Sequence, residues 1–137
     1  MLMAGPAQKN DTMNTRFLLG ATAWTLGAAG FCTLLLPQEV LGLFDVGPTA
    51  PVPVLMQLLA AALFAFAMVN WTARGTTVGG IYGRPIAIGN MTHFFVGGMA
   101  LLSAVLSGRT DPVMLVLLLV YGGFAVAFAM VLFRSPV

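Results

Sequence analysis

Charge is what this chain has least of. Of its 137 residues, six are Lys or Arg, four are Asp or Glu and one is His, so 7% are charged while 59% are hydrophobic and the mean hydropathy is +0.96. A soluble domain carries about 25% charged residues. So sparse a supply cannot cover a water-facing surface, and the chain reads as an integral membrane protein. The net charge of +2 is scattered, with no basic stripe and no RNA-binding motif, which argues against a nucleic-acid partner. Cys32 is the only cysteine and lies in an apolar run, which excludes an internal disulfide and leaves no partners for a metal site. A single histidine and scattered methionines are not a haem ligand set. There is no P-loop and no dinucleotide fingerprint, because Gly75–Gly80 (GTTVGG) lacks both the lysine and the strand context. Paired histidines, paired carboxylates and CxxC are also missing, and the sequence requires no cofactor.

What is there is hydrocarbon-soluble length. Four apolar runs, about 17–36, 54–73, 86–106 and 113–133, are each close to 20 residues long. At 1.5 Å per residue, such a run matches a hydrocarbon core of about 30 Å. The expected fold is therefore an all-α integral membrane four-helix bundle over residues 16–137, preceded by a mobile cytoplasmic tail at 1–15, in which Met13 is an alternative start. The first run is too long for the h-region of a signal peptide and lacks a clear cleavage site, so it is read as a retained helix. Gly20, Ala23, Gly27 and Gly30 form a small-sided stripe along it, where another backbone can come close. Trp24, in mid-span, is expected to pack inside the protein. Between the first two spans, Val40, Leu41, Leu43 and Phe44 suit a short helix lying on the membrane surface, and Pro48, Pro51 and Pro53 then prevent a continuous helix. Asp111 before Pro112 reads as an N-cap followed by the first helical position.

Four spans place both termini on one side. Lys9, Arg16, Arg74, Arg84 and Arg134 fall on that side and only Arg109 on the other, so the positive-inside rule makes it cytoplasmic, in a bacterial-type inner membrane. All four acids, Asp11, Glu39, Asp45 and Asp111, lie outside the apolar runs.

The polar exception is Asn70 to His93, basic and glycine-rich, with the only histidine. Asn70 and Arg74 lie one turn apart at the end of the second span, while Asn90 and His93 lie three apart at the start of the third. On the third span Asn90, His93, Gly97, Ala100 and Ala104 share a face, which should look into the bundle because a polar face toward lipid is costly. Asn70, Arg74, Tyr82, Arg84, Asn90 and His93 are thus the candidate ligand-binding residues, converging at cytoplasmic headgroup depth. Two arginines can hold a phosphate or carboxylate through forked hydrogen bonds. His93 is the one candidate acid or base. Each residue also has a plainer reading: the arginines as lipid-phosphate anchors, Tyr82 as an interfacial aromatic, Asn90 as a helix-to-helix hydrogen bond, and His93 as a buried bonded side chain.

Arg16-Phe17-Leu18-Leu19-Gly20 opening the first span, the exit Leu36-Pro37-Gln38-Glu39 and the turn Leu41-Gly42-Leu43-Phe44 resemble the DoxX-like and related small bacterial four-span proteins over roughly the first half of the chain. The resemblance implies the four-helix architecture. A quinone-linked or thiol-linked redox role goes with some of that group, but the paired cysteines that a thiol role needs are missing. Small multidrug transporters are similar in size and span count, yet the carboxylate expected in their first span is absent here. Three functional readings stand open: an accessory protein binding a lipid or an amphipathic anionic or quinone-like molecule at the cytoplasmic leaflet; a small oligomeric transporter or channel; and a membrane enzyme using His93, supported by Tyr82 and Arg84. Membrane lipids are expected partners in each, and the small-residue faces of spans one, three and four offer a route to a homo-oligomer.

Overall fold

The computed structural model describes residues 6–75 and 83–134, with side chains described for 15–75 and 83–133. The described residues form five helices and no strand: α1 (Pro6–Leu35), α2 (Pro37–Gly42), α3 (Val52–Ala73), α4 (Gly83–Leu106) and α5 (Pro112–Arg134). Four of them contain segments long and apolar enough to cross a membrane, Thr15–Leu35, Val52–Ala73, Gly83–Leu106 and Pro112–Phe133. The protein is an all-α four-helix bundle of the multi-pass membrane type, with a short helix between the first two spans. Helical backbone already begins at Pro6, ahead of the apolar run, in a segment where a tail was expected and where no glycine interrupts residues 6–15.

The turns explain themselves locally. Pro37 starts α2 at a position where its missing N–H costs nothing. Val46 N–H bonds to Leu41 O at 3.1 Å and Asp45 N–H to Gly42 O at 3.3 Å, with Asp45 in the left-handed region (φ 54°). The same double closure ends α4: Arg109 N–H to Ala104 O at 3.1 Å and Gly108 N–H to Val105 O at 3.0 Å, with Gly108 at φ 97°. Both are Schellman closures, which satisfy carbonyls that a helix end would otherwise leave orphaned. Asp111 then caps α5 as expected, accepting from Met114 N–H at 2.9 Å.

The four spans form two antiparallel hairpins. α1 lies along α3, and α4 lies along α5, while contacts between the hairpins are sparser. In the first hairpin the small stripe does what its spacing predicts. Gly30 lies so close to α3 that a Cβ there would stand 2.9 Å from Ala60 O and 3.0 Å from Phe64 N, and one at Gly27 would meet Ala67 Cβ at 3.5 Å. In the second hairpin the fillers are rings: Phe94, fully buried, stacks on Phe124 at 4.8 Å and on Phe128 at 6.1 Å, and meets Tyr121 edge-on at 5.2 Å. Leu26, Leu63 and Ala67 from the first hairpin and Phe94 and Phe128 from the second belong to one core.

Most of the large apolar side chains point outward, as hydrocarbon permits: Phe17, Leu106, Leu119 and Phe133 are among the most exposed. Hydroxyls in the spans satisfy themselves by bonding back one turn, Thr22 to Leu18 O at 2.8 Å and Thr25 to Ala21 O at 2.9 Å. Two expectations need correction. Trp24 does not pack inside the protein; it is 70% exposed on the outer surface of α1, because the inner face of that helix is the glycine stripe and has no room for an indole. The shared face of α4 turns inward only in part: Asn90 is buried, but Ala100 is exposed.

Candidate functional site

The polar residues predicted to converge separate into two groups, and one of the groups acquires an unpredicted member. Asn70 and Asn90 face each other across α3 and α4, both essentially fully buried. Asn70 Nδ2 donates to Asn90 Oδ1 and Asn90 Nδ2 donates to Asn70 Oδ1, both at 2.7 Å, and Asn90 Nδ2 also donates to Ile86 O at 2.9 Å. This closed amide pair uses its polar atoms internally. Its geometry is that of a helix-to-helix clasp, which fixes the rotation and register of α3 against α4.

One turn further along α4, His93 is half-buried between the hairpins. Its ring stacks on Phe66 of α3 at 5.0 Å and meets Phe94 edge-on at 5.1 Å, and its Nε2 lies 3.4 Å from Tyr121 Oη of α5. Gly97 makes this arrangement possible, because a Cβ there would stand 2.5 Å from the Tyr121 ring. A phenol beside an imidazole supplies one donor–acceptor contact. Tyr121 carries no signal in the apolar run of α5 except that a lone hydroxyl in mid-span needs a partner, and the only histidine of the chain is the natural one.

Arg16 and Arg74 lie together at one end of the bundle. Arg74 follows the last turn of α3, and its guanidinium carbon sits 3.2 Å above the centre of the Trp71 ring. Arg16 reaches across from α1, where its Nε donates to Arg74 O at 3.1 Å. That bond satisfies a carbonyl at the α3 C-terminus, where a cation is also favoured by the helix dipole. Arg16, Phe17, Trp71, Thr72, Arg74 and Gly75 line a cavity of about 450 Å³. Trp71 is shared with a second cavity of about 420 Å³, which runs along the outer faces of α1 and α3. Trp24 meets Trp71 edge-on at 6.0 Å.

Arg84, exposed at the start of α4, is not among the residues lining the basic cavity, and Tyr82 lies outside the described residues. The structure thus joins Arg74 with Arg16 rather than with Arg84. Arg16 was legible in the sequence only as a topological charge. The missing step was the antiparallel pairing of spans one and two, which carries the start of one to the end of the other. Among the described residues no group of three or more potential metal ligands occurs. The described acidic side chains, Glu39, Asp45 and Asp111, all sit in or beside the turns at the opposite end of the bundle.

No family model, curated protein or solved structure matches this chain. The fold and the site define the class on their own: a small four-span membrane protein with a tryptophan–arginine cluster at one end of its first hairpin.

Proposed function

We propose that the protein binds an anionic amphipathic molecule at the cytoplasmic leaflet of a bacterial-type inner membrane, as an accessory or carrier component rather than as a catalyst. The observation that carries this reading is the pairing of Arg16 with Arg74 over a cavity of about 450 Å³ beside Trp71. Arg74 lies over the indole face, and Arg16 spends only Nε on the carbonyl of Arg74. Two arginines lining one cavity suit a phosphate or carboxylate better than a neutral headgroup. The bias of arginines to this end supports the cytoplasmic side for it under the positive-inside rule. Asn70 and Asn90 then serve the reading as scaffold, since they hold α3, and with it Trp71 and Arg74, against α4.

Native mass spectrometry of the full chain, extracted gently from its membrane, tests this directly. Wild type is expected to carry an anionic adduct that the Arg16→Gln/Arg74→Gln variant loses while keeping its helical content. Equal retention by both proteins would remove the arginines from any binding site.

A further inference from the structure

We propose that the occupant is a single anionic glycerophospholipid, seated with its phosphate between Arg16 and Arg74 and one acyl chain in the outer groove between α1 and α3; this rests on the anionic-amphipath reading above and names its ligand class. The two cavities are consecutive. Trp71 lines both, with Arg74 over its face and Trp24 against its edge. On the basic side the lining includes Arg16, Thr72 and Arg74. On the other side it is apolar throughout, with small residues at Ala23, Gly27 and Ala67 and larger side chains at Trp24, Phe31 and Phe64. An amphipath with a charged head and a hydrocarbon tail has this same order of chemistry along its length.

Depth agrees with a leaflet lipid. From Arg16 to Phe31, α1 rises about 22 Å. Arg16 begins at headgroup level, and half of the hydrocarbon core is about 15 Å thick. The groove therefore follows a chain from its headgroup to the bilayer midplane. Small and aromatic residues together line a slot on the outer faces of α1 and α3, and an extended hydrocarbon chain is thin enough to lie in it. The tryptophans stand in the slot, one at its mouth and one beside it, where an amphipathic indole suits the change from wet to dry.

The two tryptophans, the only ones in the chain, report on the site themselves. The full-length protein is reconstituted in phosphatidylcholine vesicles containing a minor fraction of phosphatidylglycerol with brominated acyl chains, and in parallel with brominated phosphatidylcholine. Wild-type tryptophan emission is expected to be quenched at about tenfold lower mole fraction of the anionic lipid, a preference of ~1.4 kcal/mol. Arg16→Gln/Arg74→Gln is expected to abolish that difference. Ala28→Phe, at an exposed lining position one turn from both Trp24 and Phe31 and away from the buried Gly30 contact, is expected to reduce quenching by the anionic lipid severalfold. Equal quenching by the two lipids in wild type overturns both the anionic reading and this assignment. An anionic preference that persists unchanged in Ala28→Phe keeps the anionic reading but takes the acyl chain out of the groove. Tryptophans shielded from both lipids, together with a dimer in native mass spectrometry, would put a second copy in the slot and overturn the proposal.

Discussion

The two hairpins meet the same demand with opposite materials. Hydrocarbon solvates leucine as well as a protein interior does, so two helices in a membrane gain little from burying apolar surface and depend on close packing. α1 and α3 achieve it by absence: at Gly30 there is no side chain, and the backbones nearly touch. α4 and α5 achieve it by bulk, with Phe94 at the centre of a stack made with Tyr121, Phe124 and Phe128. On the small face of α5 a Cβ at Gly122 would meet nothing within 4 Å, while Ala125 one turn on packs against the core. The consequence reaches the site. A glycine-lined interface expels its large side chains to the outer surface, and it is there that Trp24 and Trp71 form the mouth of a groove. The aromatic interface instead keeps Phe94 and Phe128 fully buried between its helices.

The largest effect expected is in the second hairpin. Phe94→Ala removes the hub of the ring stack. In a soluble core such a change costs about 3–5 kcal/mol; in hydrocarbon the transfer part falls away and the lost packing remains, so ~3 kcal/mol is expected. Steric-trap or denaturant unfolding in bicelles would measure it. A loss below about 1 kcal/mol would show that the rings fill space without holding the hairpin together.

The first hairpin should answer to a graded series of one substitution. Gly30→Ala places a Cβ against backbone atoms that cannot turn aside, and a cost of ~2 kcal/mol is expected. Gly27→Ala meets only Ala67 Cβ at 3.5 Å, an ordinary contact, and should be close to neutral. Gly20→Ala meets nothing within 4 Å and should stabilise by ~0.5–1 kcal/mol, the difference in helix propensity. Thermal unfolding of the three variants in one detergent gives the order. If all three destabilise alike, closeness at Gly30 is not what holds α1 to α3.

The fold was almost wholly legible in the sequence because its cause is local: length, apolarity, proline and capping residues are one-dimensional properties. The four spans, the short helix after Pro37 and the cap at Asp111 all followed from them. The site was less legible because it depends on which helix pairs with which. Glycine spacing on α1 announced a close neighbour without saying which helix supplies it. Once α3 takes that place, Arg16 and Arg74 must share an end, and Trp24 must leave the interior. The cluster of Asn70, Arg74, Asn90 and His93, drawn as one site because it is continuous along the chain, divides because helical rotation points the amides inward and Arg74 outward over Trp71.

The joint between the hairpins adds a third material, a pair of buried amides, to the stacking of His93 on Phe66. Asn70 and Asn90 hold α3 to α4 by two hydrogen bonds of 2.7 Å, both buried from solvent. Removing one amide leaves the other unpaired in a nonpolar interior, so Asn70→Ala and Asn90→Ala should each cost ~1 kcal/mol. Asn70→Leu/Asn90→Leu removes both demands together, and the apolar pair should recover most of that loss, because hydrocarbon asks only for filled space. Stability would then be restored while the constraint on helix rotation is lost. Double electron–electron resonance between spin labels at Leu36 and Arg109, one in each hairpin, should give a single narrow distance in wild type and a broader one in the double leucine variant. Recovery of stability with the distance unchanged would mean that packing alone sets how the two hairpins meet. Recovery of stability with broadening would assign the amide pair its role: it fixes the one orientation in which Trp71 and Arg74 face the groove and contributes little to holding the helices together.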